Sequence, residues 1–375
     1  MVAMPSKASA ENSIVSIEDL DHVVDCDFHL TERPSDFLPY VDSPWDEILA
    51  RPLEDIHKGR FLSPLYPKSG ILNVGRTTGR IPPTKVTTPE DVREGMEELG
   101  VTEPILNAGT NLSLGVVHHD ELAVALANAY NRWVTETFFD EGFRGAAVIA
   151  PHRPNDAAEE IDRVSKEKGV IGILLPSGGV TPPLGHEMYR PIFEACESAG
   201  LPLLLHGTAN GAWQSQPLQH RWLNRHMSIH AVSHPFDHMT HLTSMLTAGV
   251  PALYPDLDFV VQEAGIGWVP YLMRRLDHEL PANVEDAPLL EMAPSKYIRR
   301  QFYFTTQPVE GTHDHEYVRA MIRLMSGGTN LMFSSDYPHY DFDNTDHLLN
   351  VLRPAFSDEE IANIYGETAR KVYDL

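Results

Sequence analysis

Short apolar runs alternate with longer segments of helical periodicity along most of the chain, and this alternation limits the possible folds more than any other feature. Eight runs have the length and composition of strands: residues 22–27, 103–107, 145–150, 170–175, 201–206, 257–263, 301–305 and 330–334. Strands that alternate with helices are typical of βα units joined in a parallel sheet. Eight such units predict an α/β protein with a single (β/α)8 TIM barrel.

The segments between these runs carry helix signals. Thr88 and Pro89 begin one helix, because threonine is a favoured N-cap and proline is favoured at the first helical position. Gly100 ends that helix, since glycine accepts the left-handed conformation of a C-terminal cap. Further helices are predicted at residues 120–139, 157–168, 187–199, 267–279, 313–325 and 358–373. An open doubly wound sheet is disfavoured, because DCDFHLTERP at the end of the first strand has no glycine for a phosphate-binding turn.

The domain organisation follows from this count. Residues 1–20 are predicted to be a mobile N-terminal tail, and residues 21–375 to form the barrel domain. Long loop insertions are predicted after strand one, at residues 34–86, and after strand five, at residues 207–257, where two helices are expected. Such loops hold substrate lids and specificity elements in barrels, and they serve equally well as dimer contacts.

Composition limits the partners. The formal net charge is −24, and a surface this negative repels phosphate backbones and anionic lipid, so nucleic acid and membrane are not expected as partners. No apolar run approaches the roughly 18 residues of a transmembrane helix, and the N-terminus lacks a signal-peptide pattern. Cys26 and Cys196 stand far apart in apolar contexts, as free thiols of a reducing compartment do. These features predict a cytoplasmic protein.

Residues with metal-binding chemistry lie where the predicted strands end. Asp27 and His29 end strand one, His206 ends strand five, Glu263 ends strand six and Asp336 follows strand eight. All these ends face one mouth of a barrel. Asp27 and His29 are two residues apart, so both side chains point the same way from an extended strand. Imidazole and carboxylate together suit Zn²⁺, Mn²⁺ or Fe²⁺.

Each of these signals is weak when it stands alone. An isolated Asp-x-His triplet is more typical of a turn or an N-cap, and a single histidine such as His206 is more often a core residue with satisfied hydrogen bonds. Their combination favours the metal site, because unpaired buried polar groups at three strand ends would cost several kcal/mol.

The motifs resemble those of the amidohydrolase superfamily, in the branch that includes aminocarboxymuconate semialdehyde decarboxylase and the resorcylate and carboxyvanillate decarboxylases. The resemblance extends from residue 22 to residue 375. Its markers are VDCDFH (24–29), LANAYNRW (126–133), LPLLLHG (201–207), the segment 233–279, FTTQP (304–308), FSSDYPHYDF (333–342) and IYGETARKVY (364–373).

The resemblance implies one divalent metal held by Asp27, His29, His206 and Asp336, and a homodimer. Members carry His-x-His or Glu-x-His at the first pair, so Asp27 is a variant. Two-metal relatives carry a lysine on strand four. The corresponding GVIGILLPSG has none, which favours one metal.

Strand six departs from the decarboxylase pattern, because Glu263 stands where those enzymes carry a catalytic histidine. Glu263 is expected to act as a general base or as a further ligand that bridges to a second metal. Decarboxylation of an aromatic or unsaturated carboxylic acid, with Asp336 handling the proton, is favoured. Metal-dependent hydrolysis of an ester, thioester, amide or lactone is the alternative, with Asp336 or Glu263 as the base. His339 is a candidate ligand-orienting residue or acid, and a non-catalytic barrel is disfavoured by the full ligand set.

Two further groups of residues are weaker candidates. His234, His238 and His241 share one helical face, which either lines the mouth or packs against the barrel. Arg76 and Arg80, in the first long loop, are suited to pairing with a substrate carboxylate, although a solvated loop face is the more ordinary role.

Overall fold

Eight parallel strands form one sheet in the computed structural model, which describes residues 14–49, 85–208, 223–325, 328–339 and 343–375. The strands follow one another around the sheet in sequence order: β1 Val24–His29, β2 Glu103–Asn107, β3 Arg144–Val148, β4 Val170–Pro176, β5 Leu203–His206, β6 Phe259–Gln262, β7 Phe302–Thr305 and β8 Leu331–Met332. Cys26 N–H donates to the Phe333 carbonyl at 3.0 Å, and Asp336 N–H donates to the Asp27 carbonyl at 3.1 Å. These bonds join the ends of the sheet, and the predicted (β/α)8 barrel is confirmed.

Helices occupy the connections. Those that lie wholly within the described ranges include α1 Pro34–Phe37, α2 Pro89–Leu99, α3 Asp120–Val134, α4 Pro154–Val164, α5 Arg190–Ala199, α6 His226–Thr247, α7 Val250–Leu253, α8 Val269–Glu279, α9 Pro294–Gln301, α10 His315–Met325, α11 Thr345–Leu352, α12 Asp358–Ala362 and α13 Thr368–Val372. Between β2 and β5 each helix returns the chain so that the next strand runs parallel to the last, which brings the carboxyl ends of all eight strands to one face.

Helix α2 has the ends that its sequence predicts. The Thr88 hydroxyl accepts a hydrogen bond from Asp91 N–H at 3.2 Å, and this bond satisfies one of the free donors of the first turn. Gly100 follows the last helical residue at φ 68°, the left-handed conformation that glycine adopts without a steric penalty.

Several predicted bounds differ from the structure. The helix predicted at 120–139 ends as an α-helix at Val134 and continues as a π turn, and the one predicted at 358–373 is interrupted by a π turn at Asn363–Glu367. Helices α9 and α11 were not predicted, since each has only eight residues. The strand predicted at 301–305 begins one residue later, because Gln301 still belongs to α9.

The two long connections are described only in part. The start of the first contains α1 and contacts α3 and the π turn after it: Arg132 pairs with Asp42 at 2.8 Å, and Tyr40 Oη donates to Glu136 at 3.0 Å. Arg76 and Arg80 lie outside the described residues. The second connection contains α6 and α7, so the two helices expected there are present.

The predicted tail of residues 1–20 is described only from Ile14. Ile14 and Leu20 are buried, and Arg353 donates to the Val15 carbonyl at 2.7 Å. Residues 14–20 therefore pack onto the barrel, and mobility of residues 1–13 stays a prediction. No helix within the described ranges has the length and apolar character needed to cross a membrane.

Candidate metal centre

Four side chains converge at the carboxyl-terminal mouth of the barrel. His29 Nε2 lies 3.1 Å from Asp27 Oδ1, 3.2 Å from Asp336 Oδ1 and 3.3 Å from His206 Nε2. His206 Nε2 lies 3.4 Å from Asp27 Oδ2. All four residues are fully buried. The structure thus places the other three predicted ligands, from β1, the end of β5 and the loop after β8, around His29 Nε2.

Hydrogen bonds set the tautomers of the two histidines. Nδ1 of His29 lies 2.7 Å from the Ala108 carbonyl, and Nδ1 of His206 lies 2.7 Å from the Gly207 carbonyl. A carbonyl only accepts, so each Nδ1 carries the proton and donates it. In the neutral imidazole each Nε2 then presents a lone pair towards the centre, as metal-binding histidines do when their other nitrogen is held by the backbone.

The carboxylates of Asp27 and Asp336 accept hydrogen bonds at only some of their oxygens. Asn107 Nδ2 donates to Asp27 Oδ1 at 2.9 Å. Asp27 Oδ2 and Asp336 Oδ2 are buried and have no hydrogen-bond donor within the described residues. A buried carboxylate oxygen without a partner is costly, and a bound cation removes that cost. The donor set and these two oxygens therefore fit a divalent metal ion.

The separations around His29 Nε2 also match those between ligands of one metal ion. Ligand atoms bonded to one ion at about 2.1 Å are separated by about 3.0 Å at octahedral and about 3.4 Å at tetrahedral edges. The separations around His29 Nε2 run from 3.1 to 3.3 Å. Asp27, His29 and His206 form one group with mutual ligand-atom distances under 4.8 Å, and His29 belongs to a second group with Asp336, His339 and Glu263.

Two of the acidic residues have strained backbones. Asp336 adopts φ 63° and Glu263 adopts φ 46°, a left-handed region that residues other than glycine rarely occupy. Such conformations cost on the order of 1–3 kcal/mol and concentrate at functional sites. Hydrogen bonds help to hold Glu263, whose N–H donates to Thr305 Oγ1 at 3.3 Å.

A buried aspartate outside the ligand set supports both ligand segments. Asp25 accepts hydrogen bonds from Ser335 N–H at 2.9 Å, from Ser335 Oγ at 2.5 Å and from Asp27 N–H at 3.1 Å. Burial raises the pKa of Asp25 to about 6. Asp25 therefore joins β1 to the loop that carries Asp336.

The charges in the centre act strongly on one another. Burial alone would raise the pKa of Asp27, but the imidazoles of His206 and His29 outweigh burial and hold it well below its usual range. Burial likewise opposes a positive charge on His29, yet the carboxylates of Asp27 and Asp336 raise its pKa well above the usual value. This negative potential, which favours a proton on the imidazole, equally favours a metal cation.

Two predicted catalytic residues border the ligand set. His339 Nδ1 lies 2.6 Å from Asp336 Oδ1, and the His339 ring lies 4.6 Å from the His29 ring. Glu263 Oε2 lies 3.6 Å from His206 Nε2. Glu263 Oε1 faces away from the ligands, 3.5 Å from His234 Nε2 and 4.0 Å from His230 Nε2.

A family model described as "Amidohydrolase" matches residues 24–375. The chain belongs to the amidohydrolase family. The resemblance of its motifs to this family is therefore confirmed.

Two curated relatives of this amidohydrolase are named gamma-resorcylate decarboxylase. The protein of Polaromonas sp. (strain JS666 / ATCC BAA-500) is 28% identical over 218 residues, which cover 55% of this chain and 62% of the relative. The protein of Rhodococcus jostii (strain RHA1) is 26% identical over 277 residues, 69% of this chain and 79% of the relative. The first alignment thus covers less than two thirds of the relative's length.

Solved structures share the fold. A 5-carboxyvanillate decarboxylase from Sphingomonas paucimobilis superposes with a TM-score of 0.70 at 21% identity, covering 94% of this chain and 99% of that one. A dihydroxybenzoic acid decarboxylase from Polaromonas sp. JS666, with bound manganese and the inhibitor 2-nitroresorcinol, has a TM-score of 0.68 at 18% identity, covering 95% and 98%.

The histidines of α6 have different environments in this amidohydrolase. His234 is buried beside Glu263 at the mouth. His241 accepts from Leu184 N–H at 3.2 Å, and its Nε2 donates to the Ser177 carbonyl at 3.2 Å. His238 is buried beside the backbone of Gln262 at the end of β6. Both roles foreseen for this face therefore occur, lining the mouth at His234 and packing at His241.

Two residues near the ligands, His230 and Asn107, were not predicted from the sequence. His230 lies one helical turn before His234, and extending the four-residue histidine spacing backwards would have found it. Asn107, the polar residue that ends β2, donates to Asp27. Its position at a strand end was the available signal.

A separate cavity of about 330 Å³ lies among the loops that follow β2, β3 and β4. His118, Asp120 and His152 are among the residues that line it, and none of the four predicted ligands does. The convergent donors, and not this cavity, therefore locate the candidate metal centre.

Proposed function

We propose that this amidohydrolase removes CO2 from a small aromatic carboxylic acid at a divalent metal held by Asp27, His29, His206 and Asp336. One observation carries the proposal: four buried donors converge, and two of their carboxylate oxygens have no hydrogen-bond donor within the described residues. The curated relatives named gamma-resorcylate decarboxylase favour decarboxylation over other reactions of such a site.

We propose Mn²⁺ as the metal. Two carboxylates and two imidazoles give a mixed oxygen and nitrogen donor set that Mn²⁺ accepts, and the Polaromonas decarboxylase structure contains manganese. Zn²⁺ and Fe²⁺ accept the same donors. When bound, the cation supplies a positive charge that orients the substrate's carboxylate or hydroxyl oxygens and stabilises developing negative charge.

We assign to Asp336 and His339 the delivery of the proton that the ring carbon takes up. Decarboxylation breaks the bond between the ring carbon and the carboxylate carbon; CO2 leaves, and the ring carbon takes up one proton. The Asp336 side chain is 1% exposed and that of His339 is 27% exposed, with 2.6 Å between Oδ1 and Nδ1. We propose that Asp336 delivers the proton to the ring carbon and that His339 resupplies it from solvent.

The position of the Glu263 carboxylate favours a second candidate function. Its carboxylate, 3.6 Å from His206 Nε2, stands where the resembling decarboxylases carry a histidine. In hydrolysis of an ester, thioester, amide or lactone, Glu263 or Asp336 would take the proton from an attacking water. Decarboxylation remains the first proposal because the named relatives perform it.

Two further expectations accompany the proposal. The family resemblance predicts a homodimer, and two buried free cysteines, Cys26 and Cys196, suit a reducing cytoplasm. Light scattering coupled to size-exclusion chromatography tests the first, with a mass twice that of one chain expected.

The deciding experiment assays the Mn²⁺-loaded protein against two substrate panels. Hydroxybenzoates are followed by CO2 release, and aryl esters and thioesters by acid release, with Asp336→Asn as the inactive control. CO2 release that depends on Mn²⁺ and is lost in Asp336→Asn is the expected result. Acid release from esters without any CO2 release would replace the first function by the second.

A further inference from the structure

The two oxygens of Glu263 face two different groups of imidazoles. Oε2 lies 3.6 Å from His206, a ligand of the proposed metal centre, and Oε1 lies 3.5 Å from His234 and 4.0 Å from His230. A carboxylate in this position can bind one cation with each oxygen. The sequence allows Glu263 to bridge to a second metal but indicates no further ligands for that metal.

His230 and His234 supply those ligands. They lie four residues apart on α6 and therefore one above the other on the same face of the helix. Their rings meet edge to face at 5.5 Å. The ligand atoms of His230, His234 and Glu263 all lie within 4.8 Å of one another. For an ion bonded at about 2.1 Å, cis ligands lie about 3.0–3.4 Å apart and trans ligands about 4.2 Å apart. The separations of Glu263 Oε1 from His234 Nε2 and His230 Nε2, 3.5 and 4.0 Å, lie close to this range.

The helix that carries these histidines is held firmly over the mouth. Ser177 Oγ donates to Asp237 Oδ2 at 3.2 Å, and Leu184 N–H donates to His241 at 3.2 Å. Gly207 allows a close approach, since a Cβ at that position would lie 3.3 Å from the His234 ring. Because these two hydrogen bonds fix α6 relative to the loop after β4, the donors are placed before any ion binds.

The charges at the mouth also favour cations. Asp27, Asp336 and Glu263 bring three carboxylates to this part of the barrel, and closely spaced carboxylates attract divalent cations. Imidazole nitrogens such as those of His230 and His234 are common ligands of Zn²⁺, and three protein ligands leave coordination positions for substrate.

We propose that His230, His234 and Glu263 hold a second divalent cation, of the Zn²⁺ or Mn²⁺ class, which Glu263 bridges to the first. The bridge rests on the proposed primary centre, whereas the His230–His234 pair does not. The second cation would bind a second oxygen of the substrate's carboxylate or phenol group, so the two sites together select substrates with two adjacent oxygen donors.

Counting bound metal tests the proposal without an activity assay. The full-length protein is stripped with a chelator, dialysed and titrated with Mn²⁺ alone; free Mn²⁺ is followed by its electron paramagnetic resonance signal and bound Mn²⁺ by elemental analysis. We expect two equivalents per chain in the wild type and one in His230→Gln and in His234→Gln. His238→Gln is the matched control, because His238 lies one turn further along α6, outside the group of three, and should leave two equivalents.

Three outcomes would overturn the second site. One equivalent in the wild type that disappears in His29→Gln refutes it and leaves the primary centre standing. Two equivalents that persist in both His230→Gln and His234→Gln refute it as well. No bound Mn²⁺ in the wild type refutes both centres. His230 is partly exposed, so its variant keeps the test valid if His234→Gln fails to fold, which circular dichroism reports.

Discussion

His339 lies in the loop three residues after Asp336, and its Nδ1 atom is 2.6 Å from Asp336 Oδ1. The same oxygen lies 3.2 Å from His29 Nε2, so one carboxylate contacts both a metal-ligand histidine and a histidine at the edge of the site. The peptide geometry supports this contact, because Asp336 at φ 63° turns the chain back within three residues and His339 N–H donates to the Asp336 carbonyl at 2.9 Å. His339 is thereby placed to exchange protons with Asp336.

Replacing His339 with glutamine should slow turnover while the metal stays bound. Glutamine can donate a hydrogen bond to Asp336 but cannot carry a proton to it, and loss of a general acid–base group typically costs about 10²–10⁴-fold in rate. We expect kcat to fall towards the lower end of that range, with KM and Mn²⁺ content close to wild type. Steady-state CO2 release and elemental analysis measure the three quantities. A parallel loss of bound Mn²⁺ would instead make His339 a residue that holds the metal.

The strand ends of the site could be predicted because the signals are local. Asp27 and His29 share a face through the two-residue period of a strand, and β2 has the bounds that its apolar run predicts. Strand β8 is shorter than predicted, Leu331–Met332, and the Phe333 carbonyl after it accepts a hydrogen bond from Cys26 N–H of β1 where the barrel closes. That closure depends on residues more than 300 positions apart and leaves no mark in the local pattern.

The second group of imidazoles could not be placed for a similar reason. The histidine spacing predicts a face of α6, but only the tertiary structure decides which turn of that face reaches the mouth. The contacts of Asp237 and His241 with the loop after β4 set the position of the helix. As a result His234 meets Glu263, and His241 packs two turns away.

Removing the metal should destabilise the folded protein. Without a cation, Asp27 and Asp336 keep buried oxygens that no donor within the described residues satisfies. Ligand linkage adds about 4 kcal/mol of stability when free metal exceeds its dissociation constant a thousandfold. We expect the melting temperature to fall by several degrees in EDTA and to recover on addition of Mn²⁺. His29→Gln serves as the control, and a response to EDTA as large as that of the wild type would place the stabilising ion elsewhere.

The amide of Asn107 should tune metal affinity from outside the ligand set. Its Nδ2 donates to Asp27 Oδ1 at 2.9 Å and to the Cys26 carbonyl at 3.2 Å, which fixes the rotation of the carboxylate. Loss of such a contact typically costs about 10–100-fold in metal affinity. Asn107→Leu should therefore raise the dissociation constant for Mn²⁺ within that range and leave kcat at saturating Mn²⁺ nearly unchanged. A Mn²⁺ titration followed by calorimetry measures the first, and unchanged affinity would mean that Asp27 needs no such support.

Asp258 lies at the opposite end of β6 from Glu263, away from the proposed metal. Its ionisation should lower the free energy of unfolding as pH rises. Burial raises its pKa from 3.8 to about 6, and Lys371 offsets only part of that shift. The folded state therefore binds more protons than the unfolded chain between these two values, so this contribution to stability is greatest below pH 3.8, declines as pH rises and levels off above pH 6. Because Asp258 is partly exposed, we expect the cost at neutral pH to be on the order of 1 kcal/mol. Asp258→Asn should raise the urea midpoint at pH 7.5 and have a much smaller effect at pH 4.5; equal effects at both pH values would show that its ionisation does not matter to folding.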